Sequence, residues 1–197
     1  MNTLKAEKRS MDVKAKRLRR EGYVTGNLFG REIEGSIPLK FTKKEIEVLL
    51  KNNNKGSQVM LELDGKTYDA LIKEVDYNPL AHTVEEVDFQ ALVSNEMVHS
   101  TAEIILENEE KVMSGVLQDE LKEVAYKALP ADLVDKIKVD VAGMKIGDTL
   151  RVKDLEIAKN KNIHITTDLE AVVATVTAVH NVVPETETED EEAAEEK

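Results

Sequence analysis

The sequence predicts a mainly β protein built as two small domains with few helices. Short β-prone runs recur at close spacing between turn signals, and only one stretch shows clear helical spacing. With 197 residues, 41% of them hydrophobic, the chain supplies two modest cores. No internal repeat is evident, so each unit reads as a small barrel or sandwich with minor helical additions.

Val59 to Leu63 alternates apolar with polar residues, Asp64-Gly65 marks a hairpin turn, and Thr67 to Val75 resumes β-prone residues; antiparallel sheet is expected here. One helix interrupts it. Thr42 and Glu45 have capping-box spacing, Ile46, Leu49 and Leu50 recur at helical intervals, and Asn52 to Asn54 ends the run. This helix is expected to plug one end of the sheet. Asn78-Pro79 forces a turn and Val84 to Leu92 reads as the last strand of the unit, which places a boundary near Val93.

The pattern restarts at Met97, with Thr101–Leu106, Val112–Leu117, Lys122–Leu129, Ile137–Val141 and Glu170–Val183 apolar and β-branched. Pro130 can open a short helix, and Gly143 with Gly147-Asp148 punctuates loops. The expected division is a first domain over 1–93, a second over 94–184 and a tail over 185–197.

Charge is distributed unevenly. The net charge of −12 includes a basic arm: residues 1–20 hold eight Lys and Arg against Glu7 and Asp12, a net +6. Residues 185–197 hold eight acids against Lys197, a net −7, with nothing able to anchor a core, so a disordered acidic tail is expected. The stretch 21–184 carries the remaining −11. A polyanion would therefore have to be met by the N-terminal end. The absence of cysteine excludes disulfides and thiolate zinc sites. The charged N-terminus and the lack of any apolar run near the roughly 20 residues of a membrane span predict a soluble protein that is not exported and has no membrane partner.

Lys14-Ala-Lys-Arg-Leu-Arg-Arg20 packs enough cations to contact several phosphates, and the planar guanidinium suits both phosphate and guanine edges. A solvated charged segment is the competing reading. Tyr23 and Phe29 could stack on bases, although an aromatic beside a strand is more often core. Gly22, Gly26 and Gly30 lack the lysine and hydroxyl of a nucleotide-binding loop, so turns and bulges are expected there. His82, His99, His164 and His180 lie far apart in the sequence and none has helix spacing to a second ligand. No metal, cofactor or catalytic group is expected: carboxylates are plentiful, nothing singles out a pair, and no serine sits in a nucleophile elbow.

Leu4-Lys-Ala-Glu-Lys-Arg9, Arg17-Leu-Arg-Arg-Glu-Gly22 and Leu28-Phe-Gly30 together resemble the N-terminal signature of the bacterial large-subunit ribosomal protein twenty-five family. Ala70-Leu-Ile-Lys-Glu-Val75, Asn78-Pro79 and Val87-Asp-Phe89 resemble the strand-turn-strand that closes its first domain. Leu129-Pro130, Ile137-Lys-Val-Asp-Val141, Ile146-Gly-Asp148 and Asp154-Leu155 are similar to the extra β domain of its long form, the general stress protein Ctc. The resemblance implies a six-stranded, barrel-like first domain that docks on the loop E region of 5S rRNA, in the central protuberance of the large (50S) subunit beside neighbouring ribosomal proteins. It further implies a ribosome-associated cytoplasmic protein, monomeric off the ribosome, with an architectural function. By motif position, Arg9, Lys14, Arg17 and Arg19, with Lys16 and Arg20 beside them, would contact phosphates and bases. Asp88 would accept from base amino groups or a ribose hydroxyl. Phe29, Asp76 and Glu86 occupy RNA-facing positions where the family usually has tyrosine, glutamine and histidine, and Thr25 replaces a proline.

Two further functions compete with a structural RNA-binding protein. One is a stress-related protein-interaction module that keeps the fold with weakened RNA affinity, favoured by Asp76 and Glu86. The other is a hydrolase, which predicts a concave pocket holding carboxylates of shifted pKa.

Overall fold

The computed structural model describes residues 3–112 and 115–178 and is mainly β. The first domain is a closed barrel of six strands. They are β1 (Thr3–Lys8), β2 (Tyr23–Phe29), β3 (Ser36–Thr42), β4 (Gln58–Leu63), β5 (Lys66–Asn78) and β6 (Thr83–Ala91). Their order around the barrel is β1-β3-β2-β6-β5-β4. The hairpins β4–β5 and β5–β6 are antiparallel, as expected from Asp64-Gly65 and Asn78-Pro79, and β2–β3 is antiparallel as well, without a turn signal read in the sequence. The closure is not antiparallel throughout. β1 pairs with β4 in parallel, Leu4 opposite Leu61, and β2 pairs with β6 in parallel, Leu28 opposite Phe89. Both pairings join strands distant in the chain, and hairpin chemistry does not encode them.

Inward positions alternate along each strand. Val24 and Leu28, Leu39 and Phe41, Val59 and Leu61, Ala70 and Ile72, and Val87 and Phe89 are all buried in one core. Phe41 and Phe89 meet at a centroid distance of 5.4 Å with rings tilted by 55°. Helix α2 (Lys43–Asn52) starts where the capping spacing predicts: Glu45 N donates to Thr42 Oγ1 at 3.4 Å, and the Thr42 hydroxyl donates to Glu45 Oε2 at 2.5 Å. Its Ile46 and Leu49 join the barrel core, so the helix does cover one end.

Two elements of the basic arm are not simple charged chain. Thr3–Lys8 is the first barrel strand, with Leu4 and Ala6 turned inward. Ala15–Arg20 is a helix, α1, with Leu18 buried at 6% exposure and Arg17, Arg19 and Arg20 in its last turn, where the helix dipole favours cations. Six residues are too few for helical periodicity to show in the sequence.

Of the three glycines expected at turns or bulges, Gly22 is in a turn with φ +89°. Gly26 lies mid-strand in β2, where a Cβ would sit 2.0 Å from the Val87 carbonyl oxygen of β6. Gly30 follows β2, and a Cβ there would come 2.9 Å from that of Ala91. Close approach to β6 explains both, and Gly30 also opens a turn in which its O accepts from Ile33 N at 3.1 Å.

The second domain has its own core and two small sheets. The first sheet has the order β10-β7-β9-β12, formed by β7 (Val98–Glu107), β9 (Glu123–Ala128), β10 (Lys136–Asp140) and β12 (His164–Ile165). The other has the order β11-β13-β8, formed by β8 (Val116–Asp119), β11 (Thr149–Arg151) and β13 (Val172–Thr177). Pro130–Asp132 forms only a single 3₁₀ turn. Tyr126 is fully buried; its hydroxyl donates to Val134 O at 2.7 Å and accepts from Val134 N at 2.8 Å. The expected strand beyond Ala178 and the acidic tail lie outside the described residues.

Gly26→Ala is expected to lower the unfolding free energy by more than about 2 kcal/mol, because a methyl group there must displace a backbone carbonyl, not a flexible side chain. Denaturant midpoints of the two proteins check this.

Candidate RNA interface

Because Val24, Gly26 and Leu28 of β2 face the core, Thr25, Asn27 and Phe29 occupy the opposite face of that strand. By the same alternation, Glu86, Asp88 and Gln90 line the outside of β6 between the inward Val87 and Phe89. Register aligns them in rows: Thr25 opposite Glu86, with Asp76 of β5 beyond it, and Phe29 opposite Gln90. Asp88 is opposite Glu74 of β5. Phe29, Asp76, Glu86 and Asp88 are thus brought onto one outer face.

Helix α1 is fastened to this face by Arg19. Its Nε donates to Glu85 O at 3.1 Å, Nη1 pairs with Glu85 Oε2 at 3.1 Å, and Nη2 reaches Glu86 Oε2 at 3.4 Å. The Glu85 carboxylate also accepts from Asn78 Nδ2 at 2.7 Å. Asp88 Oδ1 accepts from Asn27 N at 2.9 Å and Asn27 Nδ2 at 3.1 Å. Asn27, Glu85 and Gln90 were not singled out by sequence; the period-two pattern from Tyr23 and Phe29 is the signal that would have found Asn27.

The remaining cations divide by role. Lys14, Lys16, Arg17 and Arg20 are exposed. Arg17 holds only Glu21, at 2.9 Å, with 74% of its side chain still exposed, a pairing that contributes about 0.3–0.5 kcal/mol and yields readily to a phosphate. Arg9 is half-buried: Nη2 donates to Val13 O at 3.2 Å, while its buried Nε has no partner among the described residues. Tyr23 is not free to stack, since Lys40 Nζ lies 4.9 Å over its ring.

Burial, and then the neighbouring Asp88 carboxylate, push the Glu86 carboxyl above its ordinary value of 4.5; Arg19 pulls the other way, Asp76 adds to the rise and Arg9 opposes it. The charged form is therefore disfavoured in the fold. At neutral pH this costs stability, and below about 4.5 Glu86 is protonated in both states and the cost disappears. Glu86→Gln is expected to melt above the parent at pH 7, by less than about 1 kcal/mol since 31% of the side chain stays exposed, with the gap closing as pH falls through 4.5. Thermal melts across that pH range measure it.

Comparison with known proteins agrees with this architecture. The Ribosomal L25p family matches residues 4–89, and the family described as Ribosomal protein TL5, C-terminal domain, matches residues 97–180. The large ribosomal subunit protein bL25 of Caldicellulosiruptor saccharolyticus is 33% identical over 181 residues, covering 90% of this chain and 88% of the relative. That of Carboxydothermus hydrogenoformans is 32% identical over 173 residues, covering 87% and 85%. That of Akkermansia muciniphila is 31% identical over 183 residues, covering 90% and 89%. With both halves matched in order and relatives aligned over most of their length, the chain belongs to the Ribosomal L25p family of large-subunit ribosomal proteins, in its long, two-domain form.

Proposed function

We propose that the chain is a structural protein of the large subunit that binds the loop E region of 5S rRNA through α1 and the outer face of β2, β6 and β5. The observation that carries this reading is the division of labour among the arginines. Arg19 is spent on fixing α1 to β6, while Lys14, Lys16, Arg17 and Arg20 stay exposed on the helix and the turn before it. A preorganised row of cations binds phosphates without first having to be ordered. Half-buried Phe29 at the end of β2 offers a ring edge to a base, and Asp88 retains Oδ2 as an acceptor for a base amino group or ribose hydroxyl. Arg9 braces the loop that leads into α1 through Val13 O.

A second reading, a protein-interaction module with weakened RNA affinity, draws on the acidic cluster itself. Asp76 stands opposite Glu86, with Asp88 two residues further along β6. Carboxylates repel phosphate, yet Glu86 is paired with Arg19 and Asp88 with Asn27, so two of the three are already engaged within the fold.

A salt titration of binding to a 5S loop E fragment separates the readings. Arg17→Ala is expected to weaken binding and reduce the slope of log affinity against log salt by roughly one, because one phosphate contact is lost. Arg19→Ala is expected to lose binding and also lower the melting temperature, since it releases α1. Affinity no higher than for an unrelated hairpin overturns the RNA reading; recovery with Glu86→His would then assign the loss to the acidic face.

A further inference from the structure

The positive charge of this protein is concentrated on one short element. Residues 14–20 hold Lys14, Lys16, Arg17, Arg19 and Arg20 with no acid among them. Arg19 is engaged by Glu85 and Glu86, and Arg17 is held only by Glu21. Lys14, Lys16 and Arg20 are exposed and have no ion pair among the described residues. No other stretch is as densely basic. Residues 43–52 of α2 mix Lys43, Lys44 and Lys51 with Glu45 and Glu47, and residues 145–161 of the second domain set five cations against Asp148, Asp154 and Glu156.

The opposite charge is as concentrated. Residues 185–197 carry eight acids in thirteen residues, one negative charge per roughly 5–6 Å of extended chain, and the stretch 21–184 is itself net −11. A polyanion tethered to an acidic body is repelled over most of that body and attracted where cations cluster. The attachment point permits the contact. After Ala178 the chain continues for nineteen residues, which extend to at most about 60–70 Å. Short contacts lead from β13 to α1: Val173 O accepts from Glu120 N and Leu121 N, and Lys122 lines with Val84 of β6 a groove of about 550 Å³. Glu85, next to Val84, holds Arg19. With four residues of strand from Val173 to Thr177, the root of the tail lies on the order of 30–40 Å from α1. Glu185 stands seven residues beyond Ala178, about 25 Å along the chain, so the acidic run covers that span.

We propose that residues 185–197 dock on α1 when RNA is absent and must be displaced before RNA binds there. The guanidinium fork that accepts a phosphate accepts a carboxylate in the same way, so the two ligands compete for Lys14, Lys16, Arg17 and Arg20. Tethering raises the local concentration of the tail to roughly the millimolar range, enough for individually weak pairs to hold it at low salt. A polyanion that meets only one or two of these cations does not displace it, whereas one that engages the whole row does, so the tail sharpens selectivity. The contact follows from charge and reach; only its consequence for RNA rests on the loop E reading.

With no cysteine in the chain, Ala193→Cys gives a single thiol inside the acidic run without changing its charge. A nitroxide there, on the full chain, is expected to broaden the amide signals of Lys14 to Arg20 at about 0.01–0.1 M salt, where charges act over roughly 10–30 Å. The signals are expected to recover near 1 M, where that range falls to about 3 Å. Broadening at α1 no stronger than around Lys44 and Lys51 of α2, or unchanged by salt, overturns the inference. Replacing the seven Glu of 185–197 by Gln and Asp190 by Asn is expected to raise affinity for the loop E fragment about two- to tenfold at low salt, with the difference closing as salt rises. Equal affinities at low salt overturn the competition. A gain without broadening at α1 is long-range repulsion and overturns the contact. Broadening at α1 when neither chain binds the fragment upholds the contact and sinks the loop E reading alone.

Discussion

The parallel contact of β2 with β6 places a backbone carbonyl where a side chain would normally stand. Val87 O takes the space beside Gly26, and the two strands then run in register from Thr25 opposite Glu86 to Phe29 opposite Gln90. Without that approach the barrel would lack the seam that joins the β2–β3 hairpin to the β4–β5–β6 meander. The same seam sets the outer face, because Asn27 and Asp88 become neighbours only across it. Arg19 can fasten α1 only because Glu85 and Glu86 are presented there.

On the proposed RNA-binding reading, an acidic chain must keep its cations apart from its carboxylates or pair the carboxylates off internally. Both devices are present. α1 projects exposed Lys and Arg, while Glu85, Glu86 and Asp88 beneath it are engaged by Arg19, Asn78 and Asn27. Burial and Asp88 raise the Glu86 carboxyl while Arg19 opposes them, so its charge is held at a cost in stability that the ion pair with Arg19 offsets in part.

The junction of the two domains is specified by polar contacts and one close backbone approach. Gly56 against Thr101, Ser57 with Asp135 and Lys73 with His99 O link the two domains through groups whose geometry is directional. Directional contacts give the two cores a defined mutual orientation without merging them.

The sequence by itself determined the mainly β character, the two-core organisation, α2 with its Thr42 cap and the local hairpins, because each is written in short-range period and turn chemistry. Motif order in the first and second halves was likewise legible as a family resemblance. It did not reveal α1, too short for periodicity, nor β1, whose two inward residues are hidden among charges. The parallel seams β1–β4 and β2–β6 were invisible because they join residues far apart in the chain. Among the candidate site residues, the cations of the arm were legible as a cluster, but tertiary structure alone separated anchoring Arg19 from exposed Arg17 and gathered Phe29, Asp76, Glu86 and Asp88 on one face. Side-chain neighbours across a sheet are decided by strand order and register, and those follow from closing the whole barrel or sheet, which no local stretch of sequence contains.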